Sequence, residues 1–156
     1  MTKLSIKNLA IKDKKILIRV DFNVPLDKQG RITDDSRIVA SLPSIRYVLD
    51  QGGAVVLMSH LGRPKNGSTP DLSLKPCAER LSQLLGKEVL MAPDCIGPQT
   101  EKMVGSLKSG QILMLENLRF HEAEEHPEKD EGFARQLSRL GDAYVNDAFG
   151  AAHRSH

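Results

Sequence analysis

Ile16-Leu17-Ile18-Arg19-Val20 stops abruptly at Asp21-Phe22-Asn23, and the reading of this stretch decides the fold. A short, continuous apolar run marks a strand buried on both faces of a parallel sheet, whereas half-exposed strands alternate. Three more stretches repeat the pattern. Ala54-Val55-Val56-Leu57-Met58 ends in Ser59-His60-Leu61-Gly62-Arg63, and Ile112-Leu113-Met114-Leu115 ends in Glu116-Asn117-Leu118-Arg119. Ala143-Tyr144-Val145 ends in Asn146-Asp147, with His153 and Arg154 soon after. In open α/β sheets, ligands bind just beyond the carboxyl ends of the strands. Asp21, Asn23, His60, Arg63, Arg119 and Arg154 therefore gather on one rim. Arginine forks bind phosphate oxygens bidentately, and Asp and Asn suit hydroxyls and carboxylates. Such a rim fits a small, highly charged anion, and a phosphorylated hydroxy acid better than a nucleotide.

Helical patterns fill the intervals between these runs. Leu26-Asp27-Lys28-Gln29-Gly30 has turn chemistry, and Thr33 to Asp35 offers N-cap residues before Ile38, Leu42, Ile45 and Leu49. Pro43 interrupts that pattern, which predicts a short turn and then a helix starting near Pro43. Gly52-Gly53 closes it. Leu74 to Leu85 reads as a helix with Pro76 in its first turn and Gly86 at its end. Val89-Leu90-Met91 is a short strand, and Asp94 after it reads as a turn residue. Gln99 to Leu107 is a short helix, and His126 to Leu140 a polar-faced one ended by Gly141. Strand and helix alternating over short links predict an α/β fold, a doubly wound and mostly parallel sheet with helices on both faces.

Composition removes several function classes. The 156 residues are enough for one core, and 40% hydrophobic with 27% charged residues is ordinary for a globular protein. A net charge of +2 and 4% aromatics argue against a nucleic-acid binder, which needs a basic footprint or stacking platforms. No apolar run approaches membrane-spanning length, and Met1 to Ala10 lacks the plan of a signal peptide. Cys77 and Cys95 have neither metal-ligand nor redox spacing. A cytoplasmic location without membrane partners is expected.

Two motifs mislead. Gly62-x-x-x-x-Gly67-Ser68-Thr69 lacks the lysine of a P-loop and contains Pro64. His121 and His126 are five apart and leave a shared helical face, so the run between them reads as a solvated acidic loop rather than a zinc helix. No Gly-x-Gly-x-x-Gly supports a dinucleotide site. Arg19 sits inside an apolar run two residues before Asp21, where a structural ion pair competes with a ligand contact.

Longer strings carry a resemblance. Arg19-Val20-Asp21-Phe22-Asn23-Val24-Pro25 resembles the signature of phosphoglycerate kinases. So do Asp35-Ser36-Arg37-Ile38 with Leu42-Pro43-Ser44-Ile45, Ser59-His60-Leu61-Gly62-Arg63-Pro64 and Leu115-Glu116-Asn117-Leu118-Arg119-Phe120. Asn146-Asp147-Ala148-Phe149-Gly150 with His153-Arg154 completes the set, in the family's order. The resemblance implies a glycolytic kinase of two lobes. One lobe holds 3-phosphoglycerate or 1,3-bisphosphoglycerate, and the other holds the magnesium complex of ADP or ATP. Family chains are more than twice this length, so residues 1–156 are expected to be a partial N-terminal phosphoglycerate-binding domain without the C-terminal nucleotide-binding domain. Neither Mg-ATP nor Mg-ADP is expected to bind this chain, and the full-length enzyme is expected to be a monomer.

The resemblance also implies residue roles. Asp21 and Asn23 would hold the glycerate hydroxyl and carboxyl end, with Phe22 between them also a substrate-binding position. His60, Arg63, Arg119 and Arg154 would form the 3-phosphate pocket, with Leu61 and Gly62 among the substrate-binding positions. Arg37 would meet the phosphoryl group in transfer, a role that its first-turn helix position does not itself suggest. Phosphoryl transfer asks for positioning and charge neutralisation more than covalent chemistry. The alternative is a stand-alone anion-binding module without catalysis.

Overall fold

The computed structural model describes residues 10–61, 73–118 and 137–147. Five strands pair in parallel there, in the order β3-β4-β2-β1-β5. They are β1 (Lys15–Val20), β2 (Ala54–Met58), β3 (Val89–Met91), β4 (Ile112–Met114) and β5 (Ala143–Asp147). The helices are α1 (Ser36–Asp50), α2 (Lys75–Leu85) and α3 (Pro98–Gly105). β2 is central and every one of its residues is buried, which is why its sequence is an unbroken apolar run.

Each face of the sheet has its own core. Ile16, Ile18, Val20, Val55, Leu57, Ile112 and Met114 pack with Ile38, Leu42, Ile45 and Val48 of α1 and with Cys77, Ala78 and Leu81 of α2. Leu17, Val56, Met58, Leu113 and Leu115 pack with Val104 of α3 and with Leu107 and Leu140. The handedness of crossovers explains the division. The steps β1 to β2 and β2 to β3 move one way along the sheet, and those to β4 and β5 return. A right-handed connection changes face when its direction reverses.

Local expectations fare unevenly. α2 has proline within its first two positions and ends at Gly86 with φ +68°, the left-handed geometry that glycine adopts without strain. Asp94 lies in a bend after β3 and its carboxylate accepts the Cys95 N–H at 2.6 Å. The break at Pro43 is not observed, since α1 runs continuously from Ser36 to Asp50 with Pro43 inside it. Pro43 lies on the exposed side, where water can serve the Val39 carbonyl that lacks its usual donor. Burial of Ile38, Leu42, Ile45 and Val48 on the opposite side holds the helix through that defect. Asp35 occupies the N-cap position, but its carboxylate accepts from Arg80 Nε of α2 at 2.9 Å and makes no cap bond. Most of the helix expected over His126 to Leu140 lies outside the described residues.

Candidate functional site

Parallel pairing brings the carboxyl ends of all five strands to one rim. The chain diverges there between neighbouring strands. β2 leads to α2 on one face, whereas the chain after β4 returns with Leu137 and Leu140 on the other. This divergence opens the crevice in which doubly wound sheets hold ligands. Ser59-His60-Leu61 forms one wall and Glu116-Asn117-Leu118 the other, with Asp21-Phe22-Asn23 at the end of the adjoining β1.

The loop after β1 is folded by its own polar groups. Asp21 Oδ1 accepts the Asn23 N–H at 3.1 Å, and the Phe22 carbonyl accepts the Val24 N–H at 2.8 Å. Phe22 is fully buried, which anchors the loop between the partly buried Asp21 and Asn23. α1 runs antiparallel to β1, so its first turn returns to the rim. Arg37, its second residue, places Nη1 at 3.3 Å from Asp21 Oδ1 and donates to the Asn23 carbonyl at 2.6 Å. Asp21, Asn23 and Arg37, assigned to acid binding and phosphoryl transfer, are thus in direct contact.

Buried polar side chains join the strand ends to one another. Ser59 Oγ accepts the Phe22 N–H at 2.9 Å and donates to the His60 carbonyl at 3.1 Å, linking the β1 and β2 loops. Asn117 Oδ1 accepts the Leu61 N–H at 3.1 Å, and Asn117 Nδ2 donates to the Leu61 carbonyl at 2.8 Å. Ser59 and Asn117 are both completely buried. The Glu116 carboxylate accepts from Ser73 Oγ at 2.6 Å, Leu74 N at 2.8 Å and Asn117 N at 2.9 Å, and so caps the start of α2 from a different element. Ser59, Glu116 and Asn117 had no assigned role in the sequence. Their signal was there: hydrogen-bonding residues placed directly behind fully apolar runs.

Asp21, Phe22, Asn23, His60 and Leu61 lie at this rim directly after β1 and β2, Arg37 reaches it from α1, and His60 is half-buried beside Leu61. Gly62, Arg63, Arg119 and Arg154 lie outside the described residues, as does the Gly62 to Thr69 motif. Leu61 and Leu118 are the described residues directly before Gly62 and Arg119. Arg19 is in register with Asn146 of β5 and acts on the Tyr144 phenol, whose pKa is raised by burial and partly offset by that charge. Among the described residues, no three His, Cys, Asp or Glu side chains gather to hold a metal ion. No helix among them is long and apolar enough to cross a membrane. A cleft of about 260 Å³ lined by Lys15, Glu101, Arg139 and Asp142 lies at the opposite, amino-terminal end of the strands.

Comparison with known proteins agrees with this arrangement. A family model described as phosphoglycerate kinase matches residues 6–156. A phosphoglycerate kinase of Moorella thermoacetica is 56% identical over all 156 residues, which cover 39% of its own length. One from Aquifex aeolicus is 53% identical over the same residues, covering 38% of that protein. The crystal structure of phosphoglycerate kinase from Pyrococcus horikoshii OT3 superposes with a TM-score of 0.82 at 36% identity, spanning all of this chain and 38% of that one. The phosphoglycerate kinase structure from Coxiella burnetii gives a TM-score of 0.79 at 36% identity, over 98% and 37% of the two chains. The chain thus spans about two fifths of the curated relatives it matches.

Proposed function

Because the chain belongs to the phosphoglycerate kinase family, we propose that it forms the acid-holding part of a glycolytic kinase. That kinase passes a phosphoryl group between 1,3-bisphosphoglycerate and ADP, giving 3-phosphoglycerate and ATP. The observation that carries this reading is the contact of Arg37 with both Asp21 and Asn23 at the carboxyl end of β1. A cation held against the acid-binding loop stands where a phosphoryl group attached to that acid would arrive.

In this mechanism Asp21 and Asn23 receive the hydroxyl and carboxyl end of the glycerate. His60, Arg63, Arg119 and Arg154 neutralise the phosphate that stays put. Arg37 exchanges its internal partners for the moving phosphoryl oxygens, supplying positive charge where negative charge develops. The magnesium nucleotide brings the second reactant and metal-assisted charge neutralisation. The described rim offers amides, a histidine and a carboxylate already paired with arginine, so the nucleotide would be held by the further length that the relatives possess. Taken alone, the 156-residue chain should bind 3-phosphoglycerate weakly and turn over nothing, because tethering of both reactants supplies much of the rate. A cytoplasmic location follows from the same glycolytic role.

Isothermal titration of the chain with 3-phosphoglycerate and with Mg-ATP tests the reading. Heat from the acid alone, lost in Asp21→Ala, is the expected result. Binding of Mg-ATP in preference to the acid would overturn it.

A further inference from the structure

Asn117 belongs to no sequence-assigned role, yet it is the completely buried polar side chain between the two strand ends that flank the crevice. β4 ends at Met114 and its ladder partner on β2 is Leu57, so regular pairing stops before the rim begins. Two backbone bonds carry the contact slightly further, from Leu115 N to the Leu57 carbonyl at 2.9 Å and from Leu118 N to the Ser59 carbonyl at 2.9 Å. Beyond them, the Asn117 amide takes the place of a strand backbone. It accepts from Leu61 N and donates to Leu61 O, one donor and one acceptor matched to one residue. A side-chain amide is the uncharged group with that pair of functions at that spacing. The bonds lie where water cannot replace them, so losing them leaves Leu61 with unmet backbone groups.

We propose that Asn117 is a positioning residue that fixes the His60-Leu61 backbone at the anion-binding rim by imitating a β-sheet partner. This rests on the phosphoglycerate-holding function proposed above. Ser59 fixes the other side of the same segment, since its hydroxyl joins Phe22 to His60. The His60-Leu61 backbone is therefore gripped from β1 on one side and from β4 on the other. Affinity for a phosphorylated acid then depends on a side chain that need not touch it, because an ordered rim loses less entropy on binding.

The test is titration of 3-phosphoglycerate into the parent chain, Asn117→Ser and Asn117→Asp, with the fold of each followed by amide NMR spectra. Asn117→Ser removes both bonds to Leu61 and should weaken binding by about tenfold or more. Asn117→Asp is the rescue variant. Burial and the adjacent Glu116 carboxylate raise the pKa of the new carboxyl group, and its protonated form again offers one donor and one acceptor. Relative to the parent at the same pH, its affinity should be restored near about pH 5 and fall as pH rises through about 8. A folded Asn117→Ser with the parent's affinity would overturn the proposal. So would Asn117→Asp binding no better than Asn117→Ser at the acid end. Should the serine variant fail to fold, the aspartate variant compared at its two pH values decides alone. Failure of the parent itself to bind 3-phosphoglycerate removes the underlying function and this proposal with it, an outcome visible before any variant is measured.

Discussion

Arg37 Nη1 lies 3.3 Å from Asp21 Oδ1, so the arginine assigned to the travelling phosphoryl group rests on a residue assigned to the acid that carries it. Their side chains are 50% and 23% exposed, which makes the pair a solvent-screened one of small worth to stability. The pairing parks the guanidinium without fixing it strongly.

In a full-length kinase carrying this sequence, Arg37→Ala should lower kcat by on the order of 10²–10³, as for loss of one preorganised donor, with a modest change in KM for phosphoglycerate. Arg37→Lys should recover part of the rate, because it returns charge without the planar fork. Steady-state kinetics of both variants provide the check. A raised KM with kcat within a few-fold of the parent would make Arg37 a binding residue instead.

Ser59→Ala should destabilise the chain by about 1–3 kcal/mol, because the buried Phe22 N–H would lose its acceptor. Asp21→Asn should cost less than about 1 kcal/mol, since it breaks an exposed pair. Urea unfolding of the two variants should therefore rank them in the order opposite to their closeness to the ligand.

The two thiols should make stability fall in alkali. Burial, reinforced by the charge of Glu116, pushes Cys77 from an ordinary 9.0 up to about 12, and burial raises Cys95 in the same direction. Between those values the native thiol keeps a proton that the unfolded thiol has released, so the unfolded state gains. The contribution is intact below pH 9, the unfolded value, and is lost as pH rises towards about 12. The slope is at most about 1.4 kcal/mol per pH unit for each thiol. Urea titrations on either side of that window should show it, and Cys77→Ala with Cys95→Ala should flatten it. The native thiols should also resist alkylation that proceeds fully in denaturant.

Gly141→Ala should lower stability by about 1–3 kcal/mol through overpacking. A Cβ there would meet Leu17 Cβ at 2.8 Å and the Leu17 backbone N at 3.0 Å, so β1 itself would have to move. A urea midpoint equal to the parent's would show that the start of β5 stands further from β1.

The parallel sheet was legible because β2 and β4 are buried on both faces and show only apolar residues, and the middle of β1 does the same. Pro43 misled because its effect depends on which side of α1 it faces, and a local rule does not know where the core is. Arg37 was invisible to residue chemistry alone. Its place at the rim follows from the antiparallel return of α1, and only the family resemblance pointed to it. Asn117 and Ser59 could be seen as polar residues behind apolar runs, but their partners, Leu61 and Phe22, are set by strand order. Two-residue hydrogen-bond geometry across the sheet has no one-dimensional signature.

β5 pairs with β1 although Lys15 and Asp142, bonded at the start of that ladder, are 127 positions apart. A ribosome making the chain at roughly 5–20 residues per second exposes β1 well before β5 exists. Throughout that interval one side of β1 has no native partner, and its unpaired N–H and C=O groups can recruit a foreign strand. Among the described strands, the sheet pairs its first-made strand with its last-made one, so crowding of nascent chains should trap this protein more readily before β5 emerges than afterwards.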